Sequence, residues 1–298
     1  MKNERKSDMK SFSEFTKKRD FLICVDSDGC AMDTMNIKHF KCFGPCMVEE
    51  WNLDQHRDEI LKRWNEINLY TITRGINRFK GLALALSEIN EKYCLIEDVD
   101  KLKAWTDTAP ELSNGALEKI ISAEGSSIVF HKALSWSKKV NQAITALPDD
   151  AKRPFLMVKE ALELAHQHAD VAIVSSANLD AVLEEWKTHG LIDHVDVIMS
   201  QNDGSKAHCI SQLLKKGYYN IKVVMCGDAP GDLDAAEKNE VFFFPILVRQ
   251  EMESWCEFID EGLTRLLYDR YRGEYQKNKI IEFYINLGEK KERKYGKP

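Results

Sequence analysis

The stretch Phe21-Leu22-Ile23-Cys24-Val25-Asp26-Ser27-Asp28-Gly29-Cys30 decides how the chain is read. Five apolar residues run directly into two carboxylates and a glycine. A short apolar run closed by a glycine reads as a buried strand ending in a turn. Such strands do not ordinarily finish in paired acids, because buried charge is costly unless it is matched. Along an extended chain, residues two apart point to the same side, so the strand delivers Asp26 and Asp28 to one place. Gly29 lets the backbone turn close to whatever the two acids hold. Taken alone, the stretch reads equally well as an acidic helix cap after a strand.

The texture changes beyond Asp33. Apolar residues recur at helical spacing at Ile60, Leu61, Trp64 and Ile67, then at Ile76, Phe79, Leu82, Leu86 and Ile89. A third face runs through Trp136, Val140, Ile144 and Leu147, and Pro148 stops it. Residues 34–153 therefore read as a helical module set into the chain just after the first strand.

From Phe155 the pattern alternates. Helices are expected over 158–166, 179–189, 205–216 and 233–238. Strands are expected over 171–174, 195–199, 221–226 and 241–244. Strands alternating with helices of this length indicate a parallel sheet covered on both faces. Residues 251–287 read as helix, with Trp255, Phe258, Ile259, Leu263 and Leu266 on one side as core or subunit contact. Residues 289–298 read as a charged tail. At the other end, Met9, Phe12 and Phe15 fit one edge of a short helix.

Ligands bind outside the carboxyl ends of the strands in an open parallel sheet. The first strand ends in Asp26 and Asp28. The second ends in Ser175 and Ser176; Ser175 is preferred because it follows the apolar run directly, as Asp26 does. The fourth ends in Gly227-Asp228, with Asp232 four residues on, and Lys206 follows Gly204-Ser205 at a helix start. Four carboxylates at one sheet edge repel unless a cation sits among them, and oxygen ligands favour a hard ion such as Mg2+. A hydroxyl and a lysine beside it suit an anion. The combination describes a phosphoryl site, with Asp26 as nucleophile and Asp28 as proton donor and acceptor.

Asp26-Ser27-Asp28-Gly29, Ser175, Lys206 and Gly227-Asp228 with Asp232 occur in the order and spacing of the haloacid dehalogenase superfamily, which the chain resembles over residues 21–234. The resemblance implies a Rossmann-like α/β core, residues 1–33 and 154–250, with an α-helical cap at 34–153 and C-terminal helices and tail at 251–298. It implies that Asp26 attacks phosphorus. Asp28 protonates the leaving group, then activates water, and its backbone carbonyl helps bind Mg2+. Asp228 and Asp232 complete the metal site, and Ser175 and Lys206 hold the transferring group. Cys30 departs from the pattern, standing where such families carry Thr or a small aliphatic residue.

Each motif alone has an ordinary reading. Ser175 and Ser176 suit a helix cap, Lys206 a solvated surface, and Asp228 and Asp232 the start of a helix. The ordered set at strand ends favours the site. In the helical module, Arg74 and Arg78 lie in a basic, glycine-flanked stretch, Thr73 to Gly81, and are candidates to contact an anionic substrate. His166 and His168 read as surface residues.

The 298 residues are 44% hydrophobic and 30% charged, with a net charge of −6. That balance suits a soluble enzyme-sized chain and gives no reason to expect nucleic acid or an anionic membrane as partner. No apolar run reaches membrane-spanning length, and the N-terminus lacks the apolar core of a secretory signal. The eight cysteines form no CxxC pair, which fits reduced thiols in the cytoplasm. There is no phosphate-binding loop of the G-x-x-x-x-G-K-[ST] kind and no G-x-S-x-G elbow. The expected function is Mg2+-dependent hydrolysis of a small phosphorylated metabolite. The alternatives are a phosphomutase of the β-phosphoglucomutase kind and a non-catalytic phosphate-ligand binding protein. Neither the substrate nor the oligomeric state is legible.

Overall fold

The computed structural model describes residues 12–124 and 127–289. It divides into two compact units. One runs to Asp33 and resumes at Lys152; the other spans Thr34 to Ala151.

The first unit is a Rossmann-like α/β fold. Its strands are β1 (Phe21–Val25), β2 (Ala169–Val174), β3 (Val197–Met199), β4 (Val223–Gly227) and β5 (Phe242–Pro245). They form one parallel sheet in the order β3-β2-β1-β4-β5. The residues of β1 from Leu22 to Val25 and all of β2 and β4 are buried, which is why they read as unbroken apolar runs rather than alternations. Because β1 is central and every strand is parallel, residues just after β1, β2 and β4 gather at one edge. The N–H of Asp26 still donates to the carbonyl of Cys226 at 3.0 Å, one residue beyond β1.

Helices Val158–His168, Leu179–Thr188, Lys206–Leu214 and Pro230–Lys238 connect or follow the strands. The expected helix over 251–287 is broken. It runs as Glu251–Glu257, a wider π turn Phe258–Gly262, Leu263–Leu267, and then Glu274–Asn286. Asp269 and Gly273 adopt positive φ, 56° and 96°, which no helix continues through. Trp255, Phe258, Leu263 and Leu266 are core residues.

Residues 12–20 form no helix. Phe15 is buried all the same, and Met9 lies outside the described residues, as does the tail after Glu289. The segment is held by polar contacts instead: the N–H groups of Lys18 and Arg19 donate to Asp170 Oδ2 at 2.8 and 3.0 Å. Lys18 Nζ reaches Asp196 Oδ1 at 2.6 Å. His166 is not a plain surface residue, since its Nε2 lies 3.2 Å from Asp196 Oδ2. His168 is exposed.

The second unit is helical, with its longest helices at Arg78–Tyr93 and Ile128–Thr145. Its core includes Trp64, Phe79, Leu82, Leu86, Trp136 and Val140. No helix among the described residues is long and apolar enough to cross a membrane.

Candidate active site

The site is built from backbone outward. After β1 the chain makes a tight turn. The carbonyl of Ser27 accepts the N–H groups of Ala31 and Met32 at 3.0 and 2.8 Å, and Gly29 N–H donates to Met32 O at 2.8 Å. Gly29 sits at φ 84°, a left-handed conformation in which a Cβ is strained. Asp26 and Asp28 flank the start of this turn, Asp26 buried and Asp28 half-buried.

Three carboxylates converge. One oxygen from each of Asp26, Asp228 and Asp232 lies within 4.8 Å of the others, and all three residues are buried. Lys206 stands among them, its Nζ 2.8 Å from Asp26 Oδ1 and 2.6 Å from Asp232 Oδ1. Ser205 places it by capping the helix Lys206–Leu214, its Oγ accepting the N–H of His208 at 3.2 Å. The other oxygen of Asp232 accepts the N–H of Ala229 at 3.1 Å. Asp232 thus fastens both the turn after β4 and the lysine, which its sequence position does not reveal.

Gly227 is required by space. A Cβ there would stand 2.3 Å from the Asp232 Cβ and 2.4 Å from its Cγ. Gly227→Ala is expected to displace Asp232, costing about 1–3 kcal/mol in chemical denaturation through overpacking. Activity should fall by more than the loss of folded protein explains, because Lys206 loses its anchor.

Burial pushes the Asp26 carboxyl well above its ordinary pKa. Lys206 draws it back and the charges of Asp232 and Asp228 push it up again, leaving it raised. Burial pulls the Lys206 ammonium down, but the charges of Asp232 and Asp26 and their hydrogen bonds outweigh it, so Lys206 stays protonated. Three carboxyl groups thus share one ammonium, an excess of acid over base within the group. All the converging donors are hard oxygens, so the residues fit a divalent cation such as Mg2+. The carboxylate of Asp28 is not a member of this group.

Ser175 follows β2. Val25 pairs with Ile173, and continuing that register brings Ser175 level with Ser27. It is buried, with its Oγ accepting the N–H of Ala177 at 3.1 Å, whereas Ser176 is exposed. Cys30 is also buried, and its thiol donates to Cys226 O at 3.4 Å. Burial, with the charges of Asp228 and Asp26, holds that thiol well above its usual pKa, so it stays protonated.

The two arginines lie in the second unit. Arg74 is buried and its Nη1 donates to the carbonyl of Leu69 at 2.8 Å. Arg78 donates from Nη1 to Ser137 Oγ at 3.1 Å and Asn141 Oδ1 at 2.7 Å, with its guanidinium 5.2 Å from the centre of the Phe43 ring. Burial holds Arg78 below the ordinary arginine pKa.

Two indoles that carry no motif also reach the turn. Trp186 Nε1 donates to Ser27 Oγ at 2.9 Å, and Trp255 Nε1 donates to Cys30 O at 3.0 Å. Their spacing in sequence, 159 and 225 residues from their partners, offers no signal that would have found them.

A parallel α/β sheet with acids and a lysine gathered past its strand ends defines a Rossmann-like protein with a buried charged cluster at that edge. The model of the haloacid dehalogenase-like hydrolases matches residues 93–246, and the chain belongs to that family. The matched span contains Ser175, Lys206, Asp228 and Asp232, while Asp26 and Asp28 precede it. Among solved structures, a haloacid dehalogenase-like hydrolase from Streptococcus pneumoniae is similar at 11% identity, covering 79% of this chain and 90% of its own, with a TM-score of 0.41. A hydrolase from Pseudomonas syringae is similar at 18% identity, 83% and 90% coverage and a TM-score of 0.42. A predicted phosphoglycolate phosphatase from Haemophilus somnus is similar at 14% identity, 75% and 84% coverage and a TM-score of 0.43. No curated protein matches the chain by sequence.

Proposed function

We propose that the protein is a Mg2+-dependent phosphatase of small phosphorylated metabolites. The observation that carries this reading is the group of three buried carboxylates, with oxygens within 4.8 Å of one another and one lysine bonded to two of them. A phosphoryl group supplies the negative oxygens such a cation and lysine would meet.

Asp26 attacks phosphorus, forming an acyl phosphate as the bond to the leaving oxygen breaks. Asp28 gives that oxygen its proton. Asp28 then takes a proton from water, and the hydroxyl oxygen attacks the same phosphorus, freeing phosphate and restoring the Asp26 carboxylate. Lys206 holds Asp26 by one oxygen and so fixes the direction of attack, while Ser175 binds the phosphoryl oxygens. Asp26, Asp228, Asp232 and the Asp28 carbonyl are the groups we assign to Mg2+, which neutralises charge on the transferring group when bound. The unit from Thr34 to Ala151 is the substrate-selecting cap.

Release of inorganic phosphate from sugar phosphates, nucleotides and p-nitrophenyl phosphate tests the reading. Turnover should need Mg2+ and stop with chelator. No release from any substrate, or release indifferent to chelator, would count against it. Mg2+ should also stabilise the fold, by about 2.7 kcal/mol at one hundred times its Kd. A melting temperature that does not move on adding Mg2+ would contradict the assigned ligands.

A further inference from the structure

We propose that Trp255, together with Trp186, is a positioning residue for the turn that carries Asp26 and Asp28, which makes the C-terminal helical segment a working part of the active site. The proposal rests on the reading of those two aspartates as the reacting groups.

Both indoles are fully buried. An indole N–H donates only, and a buried donor left without an acceptor is costly. Each has its acceptor on the turn: Ser27 Oγ for Trp186 at 2.9 Å, and the Cys30 carbonyl for Trp255 at 3.0 Å. Ser27 lies between the two aspartates, and Cys30 lies two residues past Asp28. Any shift of the turn would therefore strand two buried donors at once. The same turn is tied to β4 by the Cys30 thiol on Cys226 O, the carbonyl that also receives the Asp26 N–H. The position of the aspartates is thus fixed from outside the turn as well as within it.

Trp255 is itself held firmly. It lies in the helix Glu251–Glu257, beyond the end of the family match at residue 246. Its ring meets Phe258 edge to face at 5.7 Å, and Phe258 meets Phe244 of β5 in the same way at 5.2 Å. Ser254 closes the start of the helix, its Oγ donating to Gln250 O at 2.7 Å and accepting the Leu247 N–H at 3.0 Å. The chain of contacts runs from the last strand through this helix to the catalytic turn. The aromatic face of residues 255–266 is then more than packing.

The test compares wild type, Trp255→Phe, Trp186→Phe and Asp26→Asn with p-nitrophenyl phosphate and Mg2+, alongside hydrogen exchange of the backbone from 26 to 33. Phenylalanine keeps an aromatic ring and removes the donor. Either tryptophan variant should lose kcat by roughly 10- to 100-fold, as expected when a reacting group is misplaced by a fraction of an ångström to an ångström. KM should stay within about twofold, since the substrate is not touched. Exchange should rise in 26–33 and stay unchanged in β2 and β4. Trp186→Phe carries the test if Trp255→Phe does not fold. A folded variant with wild-type kcat and wild-type exchange in the turn would overturn the proposal, as would exchange raised evenly across the sheet. If Asp26→Asn keeps full activity, the reading of the site fails instead, and exchange alone then judges whether the indoles hold the turn.

Discussion

Asp26→Asn is expected to abolish phosphate release, by at least about 10⁴-fold in kcat, because losing a nucleophile removes the covalent route altogether. The protein should nevertheless remain folded, and in the absence of Mg2+ it should be at least as stable as wild type. The reason is electrostatic. Burial beside Asp228 and Asp232 raises the Asp26 pKa despite Lys206, so the native state favours the proton more than the unfolded chain does. A carboxyl with a higher pKa folded than unfolded makes stability fall as pH rises from its unfolded value through its folded one. Asparagine is neutral at every pH and removes that dependence. Lys206 keeps its second partner, Asp232, at 2.6 Å. Thermal melts from pH 5 to pH 8 with chelator present should therefore show a flatter profile for the variant. Retained turnover would remove Asp26 from the reaction.

Lys206→Met should do the opposite to stability. Its ammonium is bonded to two buried acids, and removing one partner of a buried ion pair costs about 3–5 kcal/mol because the other charge is left uncompensated. With the lysine gone, the charge that draws the Asp26 pKa back down is lost, and Asp26 favours its proton still more. The deficit should be larger at pH 8 than at pH 5, in denaturant titrations at both. Mg2+ should restore part of the stability. Activity should stay low, by about 10²–10³-fold in kcat, as when a donor to a developing charge is lost. A variant as stable as wild type at pH 8 without Mg2+ would mean that Lys206 does not offset the charge of these acids.

The contrast between these variants shows what the chain's sequence conveys and what it conceals. Buried parallel strands are uninterrupted apolar runs, so acids at their ends stand out, and Asp26, Asp228 and Lys206 are legible from order alone. The pairing of Lys206 with Asp232 is not, because it joins two helix starts that approach only once the sheet is folded. Polar residues inside strands mislead in the other direction. Asp170 lies within β2 at 1% exposure, where an acid argues against a strand. Its charge is met by the N–H groups of Lys18 and Arg19 and by the Tyr218 hydroxyl. Asp196 shortens β3 for a similar reason, since its carboxylate is committed to Lys18, to His166 and to the N–H of Val171. The break in the C-terminal helix at Asp269 and Gly273 has no apolar signature, because the periodicity resumes beyond it. Trp186 and Trp255 read as core, which they are; that each also spends its N–H on the turn is a property of the folded chain.

That Asp26 carries the phosphoryl group can be seen by quenching the enzyme in acid during turnover of p-nitrophenyl phosphate with Mg2+, digesting it at low pH and weighing the peptides. One added phosphoryl group is expected on the peptide containing Asp26, absent in Asp26→Asn and absent with chelator. Turnover with the group on another peptide would contradict it.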